Sequence, residues 1–213
     1  MSESDAATGT DSATKADLHL YLQDAREALL WKVDGLSEYD LRRPVTRTGT
    51  NLLGLVKHVC AAEAAYFGET FGRPVEAPGL WVADAAEPNA DLWARADESR
   101  ADILDAYATV RAHADETITL LDLEAVGRVP WGRRGELTLR RVLVHVTAEL
   151  HRHLGQADII RELIDGSVGL RPGGDVMAPG DEDWWRAHHD RVEAAAREAA
   201  GHAEPNGPGP SAT

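Results

Sequence analysis

Apolar residues recur at helical spacing along most of this chain, and no period-two alternation is sustained anywhere. That pattern constrains the fold more than any other feature. Leu18, Leu22, Ala25, Leu29 and Leu30 form one stripe, and Gly35 can close that helix. Ser37-Glu-Tyr-Asp opens a short helical turn that Pro44 stops. Thr50 or Asn51 caps a second helix, predicted to reach about Phe71 through Leu52, Leu53, Val56, Val59 and Cys60. Ile103, Tyr107, Val110, Ala114 and Leu121 mark a third over about 91–122. Thr138 caps a fourth, carrying Leu139, Val142, Val146, Ile160 and Leu163, with Gly166 in the left-handed position that ends it. Asp181 or Asp183 starts a further helix to about Ala199. The stretches 72–90 and 123–137 are rich in Pro and Gly and read as long loops, the first a crossover or a site-covering segment. The expected class is all-α: a four-helix bundle with an extra C-terminal helix.

Residues 1–16 and 200–213 lack the large apolar side chains that offset ordering entropy, so both read as disordered tails around a 17–199 domain. The single cysteine, Cys60, excludes an intramolecular disulfide framework and a cysteine-based zinc cluster. With 22 Lys+Arg against 36 Asp+Glu, the net charge is −14, which argues against nucleic acid or an anionic membrane as partner. No stretch approaches the ~20 apolar residues of a membrane span. The start lacks a basic n-region and an apolar h-region, so a cytoplasmic location is expected.

The richest segment is Val144-His145-Val-Thr-Ala-Glu149-Leu-His151-Arg-His153-Leu-Gly-Gln156. Glu149 and His153 are four residues apart and share a helix face with Val142, Val146 and Ile160, so they point at the core. Such a pair is commonly just a helix hydrogen bond. It is also how bundles build metal sites, from inward side chains on facing helices. A third ligand must come from another helix, and His58 in Gly54-Leu-Val-Lys-His58 is the best candidate. A His₂Glu set with an open fourth position is a catalytic zinc arrangement, and nickel, iron or manganese suit the same donors. His145 lies one turn before Glu149, either as a partner that orients that carboxylate or as a boundary residue. His151 is turned about 200° from Glu149, toward solvent. His19 and His113 show no ligand spacing and read as surface residues. Cys60 reads as a small core hydrophobe.

Three stretches carry a resemblance: LLWKVDGLSEYDLRRPVTRTGTNLLGLVKHVCAAEAAYFGE at 29–69, LTLRRVLVHVTAELHRHLGQADIIRELIDG at 137–166, and DEDWWRAHHDRV at 181–192. Over about 17–198 the chain resembles the DinB/YfiT-like metalloenzyme superfamily, and most nearly its actinobacterial branch of unknown function related to the mini-circle protein. The resemblance implies an up-down-down-up bundle, dimeric, with one metal-binding His on the second helix. Two more ligands are implied in an H-x3-H or E-x3-H motif shortly before a Gly-Gln. His58 matches the first; Glu149 and His153, followed by Gly155-Gln156, match the others. Many members carry His where this chain has Glu149, and the E-x3-H form also occurs in mycothiol-dependent maleylpyruvate isomerase. Relatives of known activity include transferases and isomerases using mycothiol, bacillithiol or glutathione.

The resulting expectation is a metal-dependent enzyme, with zinc the first choice of metal. It would carry out thiol transfer or thiol-assisted isomerisation on a small electrophile, with a low-molecular-weight thiol as cosubstrate. A non-catalytic metal or small-molecule binding bundle (a sensor, scavenger or resistance protein) and a metal-dependent hydrolase are the alternatives. The expected partners are a small-molecule substrate and a second copy in a homodimer.

Overall fold

Helix α1 runs from Glu3 to Val33, α2 from Glu38 to Arg42 and α3 from Leu52 to Glu63. In this computed structural model residues 3–77, 88–131, 135–174 and 177–202 are described, with side chains between residues 11 and 201. A π turn, Ala64–Gly68, and a 3₁₀ turn, Glu69–Phe71, continue α3 to the expected end. A second 3₁₀ turn, Ala90–Leu92, precedes α4, Arg100–Leu120. Two short strands, β1 (Val126–Arg128) and β2 (Glu136–Thr138), then lead into α5, Leu139–Asp165. α6, Glu182–His202, belongs to a separate compact unit that starts at Val176.

Local chemistry sets most of these limits. Ser37, Asn51, Ser99 and Thr138 each accept a backbone N–H of the first turn they cap, worth about 1 kcal/mol apiece. Gly166 closes α5 at φ 78°, where a Cβ would be strained.

Ion pairs and hydrogen bonds fix the helix directions. Asp11 pairs with Arg140 near the start of α5, and Arg161 near its end donates to the carbonyls of Trp31, Lys32 and Asp34. α1 and α5 are therefore parallel. Lys15 reaches the carbonyls of Thr119 and Leu121, while Arg26 pairs with Asp115, so α4 runs opposite to α1. Glu63 accepts from Tyr107 and Arg73 pairs with Glu116, so α3 and α4 run together. His58 meets His153, and Tyr66 meets His145, so α3 opposes α5. The order is up-down-down-up, as the resemblance implied. Leu22, Leu29, Leu52, Leu53, Val56, Phe67, Ile103, Tyr107, Val142 and Leu143 are fully buried between these helices, each large apolar side chain contributing about 1.5–3 kcal/mol.

Three expectations change. α1 begins at Glu3, where composition predicts a tail through residue 16. The gain comes from tertiary partners: the Lys15 ammonium on the C-terminal carbonyls of α4, and Asp11 on Arg140. α4 starts at Arg100 rather than near 91, because Ser99 caps it and Trp93 is extended. The 123–137 loop contains the β1–β2 antiparallel pair, with Val126 opposite Thr138 and Arg128 opposite Glu136. Strands of three residues carry too little alternation to read. Part of the 72–90 segment (78–87) and of the C-terminal tail (203–213) lies outside the described residues.

Candidate metal centre

α3 and α5 cross with His58 against His153, their ring centroids 4.6 Å apart at 71°. Glu149, one turn before His153, sits between them. Its Oε1 is 3.2 Å from Nε2 of His153 and 3.9 Å from Nε2 of His58. One ligand atom from each of the three residues lies within 4.8 Å of the others. His153 is buried, whereas His58 and Glu149 are partly exposed, so the cluster opens to one side. The side chains that the sequence assigned to the site are thus brought together.

The far nitrogen of each ring is also held. Nδ1 of His58 lies 2.6 Å from Oδ2 of Asp91. A carboxylate only accepts, so Nδ1 is the donor of this bond and Nε2 is the nitrogen that faces the cluster. Nδ1 of His153 lies 2.8 Å from Oε1 of Gln156, which would accept its proton once Nε2 turned to a metal. Metal-binding histidines are held in this way, by an acceptor on the nitrogen away from the metal. Burial pulls the Glu149 carboxyl up, but the His153 hydrogen bond and the two imidazoles outweigh it and hold it below the usual glutamate range.

The donor set fits a divalent cation. Tetrahedral zinc with bonds of about 2.0–2.1 Å sets neighbouring ligand atoms about 3.3 Å apart. The Glu149–His153 spacing of 3.2 Å already matches, the Glu149–His58 spacing of 3.9 Å is close to it, and no ligand atom stands more than 4.8 Å from another. Two nitrogens and one carboxylate oxygen would leave a four-coordinate cation one position for an exogenous group.

A groove beside the cluster is lined by Val59, Ala62, Glu63, Tyr66, Val146 and Leu150 together with His58 and Glu149. Glu63 is fully buried and committed: Arg26 pairs with it bidentately and the Tyr107 hydroxyl donates to it at 3.0 Å. Arg26 also pairs with Asp115, which accepts from Gln23 and is bonded to His19. Tyr66 lies in the π turn, a distortion often found at functional sites. Its hydroxyl is 3.0 Å from Nε2 of His145, and Trp131 packs edge-on against its ring.

Sequence reasoning missed Asp91 and left His145 open. Asp91 is 33 residues from His58, so no helical spacing could reveal it. Gln156 stands at helical spacing from His153, so its reach was readable. His145 meets Tyr66. His19 and His113 are not idle surface residues, since His113 bonds the carbonyl of Arg73. His151 is exposed, as expected. Cys60 is buried, and that burial pushes its thiol up to about 12.

An antiparallel arrangement of α3 against α5, with a His–Glu–His cluster able to hold a divalent cation, defines a helical-bundle protein of the DinB type. The chain belongs to the mycothiol-S-transferase family, whose model matches residues 17–166. A tRNA dimethylallyltransferase from Alkalilimnicola ehrlichii is 32% identical over 124 residues, which is 57% of this chain and 34% of that protein. The chain therefore spans about a third of that relative's length. No described helix is long and apolar enough to cross a membrane.

Proposed function

We propose that this chain is a divalent-metal-dependent enzyme that transfers a low-molecular-weight thiol of the mycothiol type to a small electrophile. The observation that carries the reading is the convergence of His58, Glu149 and His153, with Asp91 and Gln156 holding the outer nitrogens. These three residues would hold the metal, zinc by first preference. A cation there supplies a position that keeps a thiol as its thiolate at neutral pH.

The other roles belong to the chain itself. Asp91 and Gln156 fix the two imidazoles. Val59, Val146 and Leu150 give the groove an apolar wall that favours an uncharged electrophile. Glu63 is locked in its ion pair, and the Tyr66 hydroxyl is the polar group of the groove outside the metal ligands; where it accepts from Nε2 of His145, its own proton points to substrate. Tyr66 would donate a hydrogen bond to an oxygen of the electrophile as charge develops there. The thiol comes from outside, because the one cysteine is buried and its thiol is pushed up. The tRNA-modifying activity named for the partially matching protein gains no support from a chain of net charge −14.

Turnover tests this. Mycothiol is offered with cyclohexenone and with 1-chloro-2,4-dinitrobenzene, before and after chelation. Conjugation that chelator abolishes and zinc restores is expected. Conjugation indifferent to chelation, or none with mycothiol, bacillithiol or glutathione after metal loading, contradicts the proposal.

A further inference from the structure

Asp91 fixes His58, yet it comes from a three-residue 3₁₀ turn with little structure of its own. α3 supplies what holds that turn. The ammonium of Lys57, a fully buried residue, donates to the carbonyls of Ala90 at 3.1 Å and Trp93 at 2.8 Å. It also meets the Glu98 carboxylate at 2.9 and 3.0 Å. Glu98 in turn accepts the backbone N–H of Arg95 at 2.6 Å, and Arg42 donates to the carbonyls of Arg95 and Glu98 at 2.8 Å. Asn51, while capping α3, donates to the carbonyl of Leu92 at 3.4 Å.

Gly54 completes the arrangement. It lies one turn before His58, and a Cβ built there would stand 1.9 Å from the Leu92 carbonyl oxygen. Backbone occupies the space that any side chain would need. The turn rests directly on the helix face that presents His58.

We propose that Gly54 and Lys57 are positioning residues for the metal centre. They clamp the 90–98 segment against α3, so that Asp91 keeps the proton of His58 on Nδ1 and Nε2 free for the metal. The clamp rests on the metal reading given above. It makes the centre conditional on docking of the segment that enters α4, since α3 and α5 alone leave His58 without its orienting carboxylate.

Alanine is the better helix former, so Gly54→Ala does not weaken α3 by propensity. It acts by displacing Leu92. Lys57→Met keeps the apolar stem and removes the three-way bond. In the metal-free protein, nitrogen-15 NMR reads the His58 tautomer, and circular dichroism reads helix content. The wild type is expected as the Nδ1–H form; both variants are expected to mix tautomers with helix content retained. Zinc affinity, by competition with a chelator, should fall about 10–100-fold in each. Because the clamp works through Asp91, Gly54→Ala combined with Asp91→Ala should lose no more than Asp91→Ala alone. A His58 tautomer unchanged in both single variants, or losses that simply add, would overturn the clamp. A wild type that binds no zinc but changes tautomer in the variants overturns the metal reading and leaves the clamp standing.

Discussion

Glu149 brings the one negative charge to the ligand set. Glu149→Gln keeps the shape and an oxygen but removes that charge. Zinc affinity should fall on the order of 100-fold or more, measured by chelator competition, with helix content unchanged. Glu149 and His153 could be read from sequence because a four-residue step on one helix settles their common face. His58 needed the family pattern, and Asp91 needed the fold. Asp115 gives a pH prediction. Burial tends to raise its carboxyl, but Arg26 and the bonds from His19 and Gln23 outweigh that and lower it. A native carboxyl below its unfolded value of about 3.9 contributes stability above that pH and loses it as pH falls through the native value. Asp115→Asn should therefore destabilise the protein at pH 7. The gap to wild type, read by urea unfolding, should close toward pH 3.

At the level of elements, the long amphipathic helices were legible because their stripes exceed three turns. Short or irregular pieces were not. The π turn at Ala64–Gly68 has no sequence signature, yet it carries Tyr66 into the groove. The β1–β2 pair packs on the 3₁₀ turn at Glu69–Phe71 through Gly127, where a Cβ would stand 2.5 Å from the Thr70 carbonyl oxygen. Local composition also misled at the start of α1, since the partners of Lys15 lie over a hundred residues away. Its ammonium meets the carbonyls at the end of α4, where a cation is favoured. Lys15→Met should cost about 1 kcal/mol in urea unfolding. An unchanged midpoint would leave the first turns of α1 without that anchor.

Across the whole molecule, one buried ion pair ties α1 to α3. Arg26 and Glu63 are both fully buried. Arg26→Met leaves Glu63 charged without its partner and should cost about 3–5 kcal/mol. Adding Glu63→Met should recover part of that loss, because two apolar groups replace a desolvated pair. Tyr21 on α1 and Ile159 and Leu163 on α5 leave large apolar side chains exposed on adjacent parallel helices. We propose that this face meets a second copy: light scattering at twice the 23.1 kDa of the chain is the expected result, and a monomer mass would contradict it. The metal centre remains the feature on which the proposed chemistry depends. Elemental analysis of protein purified without a histidine tag, beside a His58→Ala/His153→Ala variant, tests it most directly. Near-stoichiometric divalent metal in the wild type, lost from a still-folded variant, is the predicted result. No metal in the wild type, even after loading with zinc, nickel, iron or manganese, would contradict it.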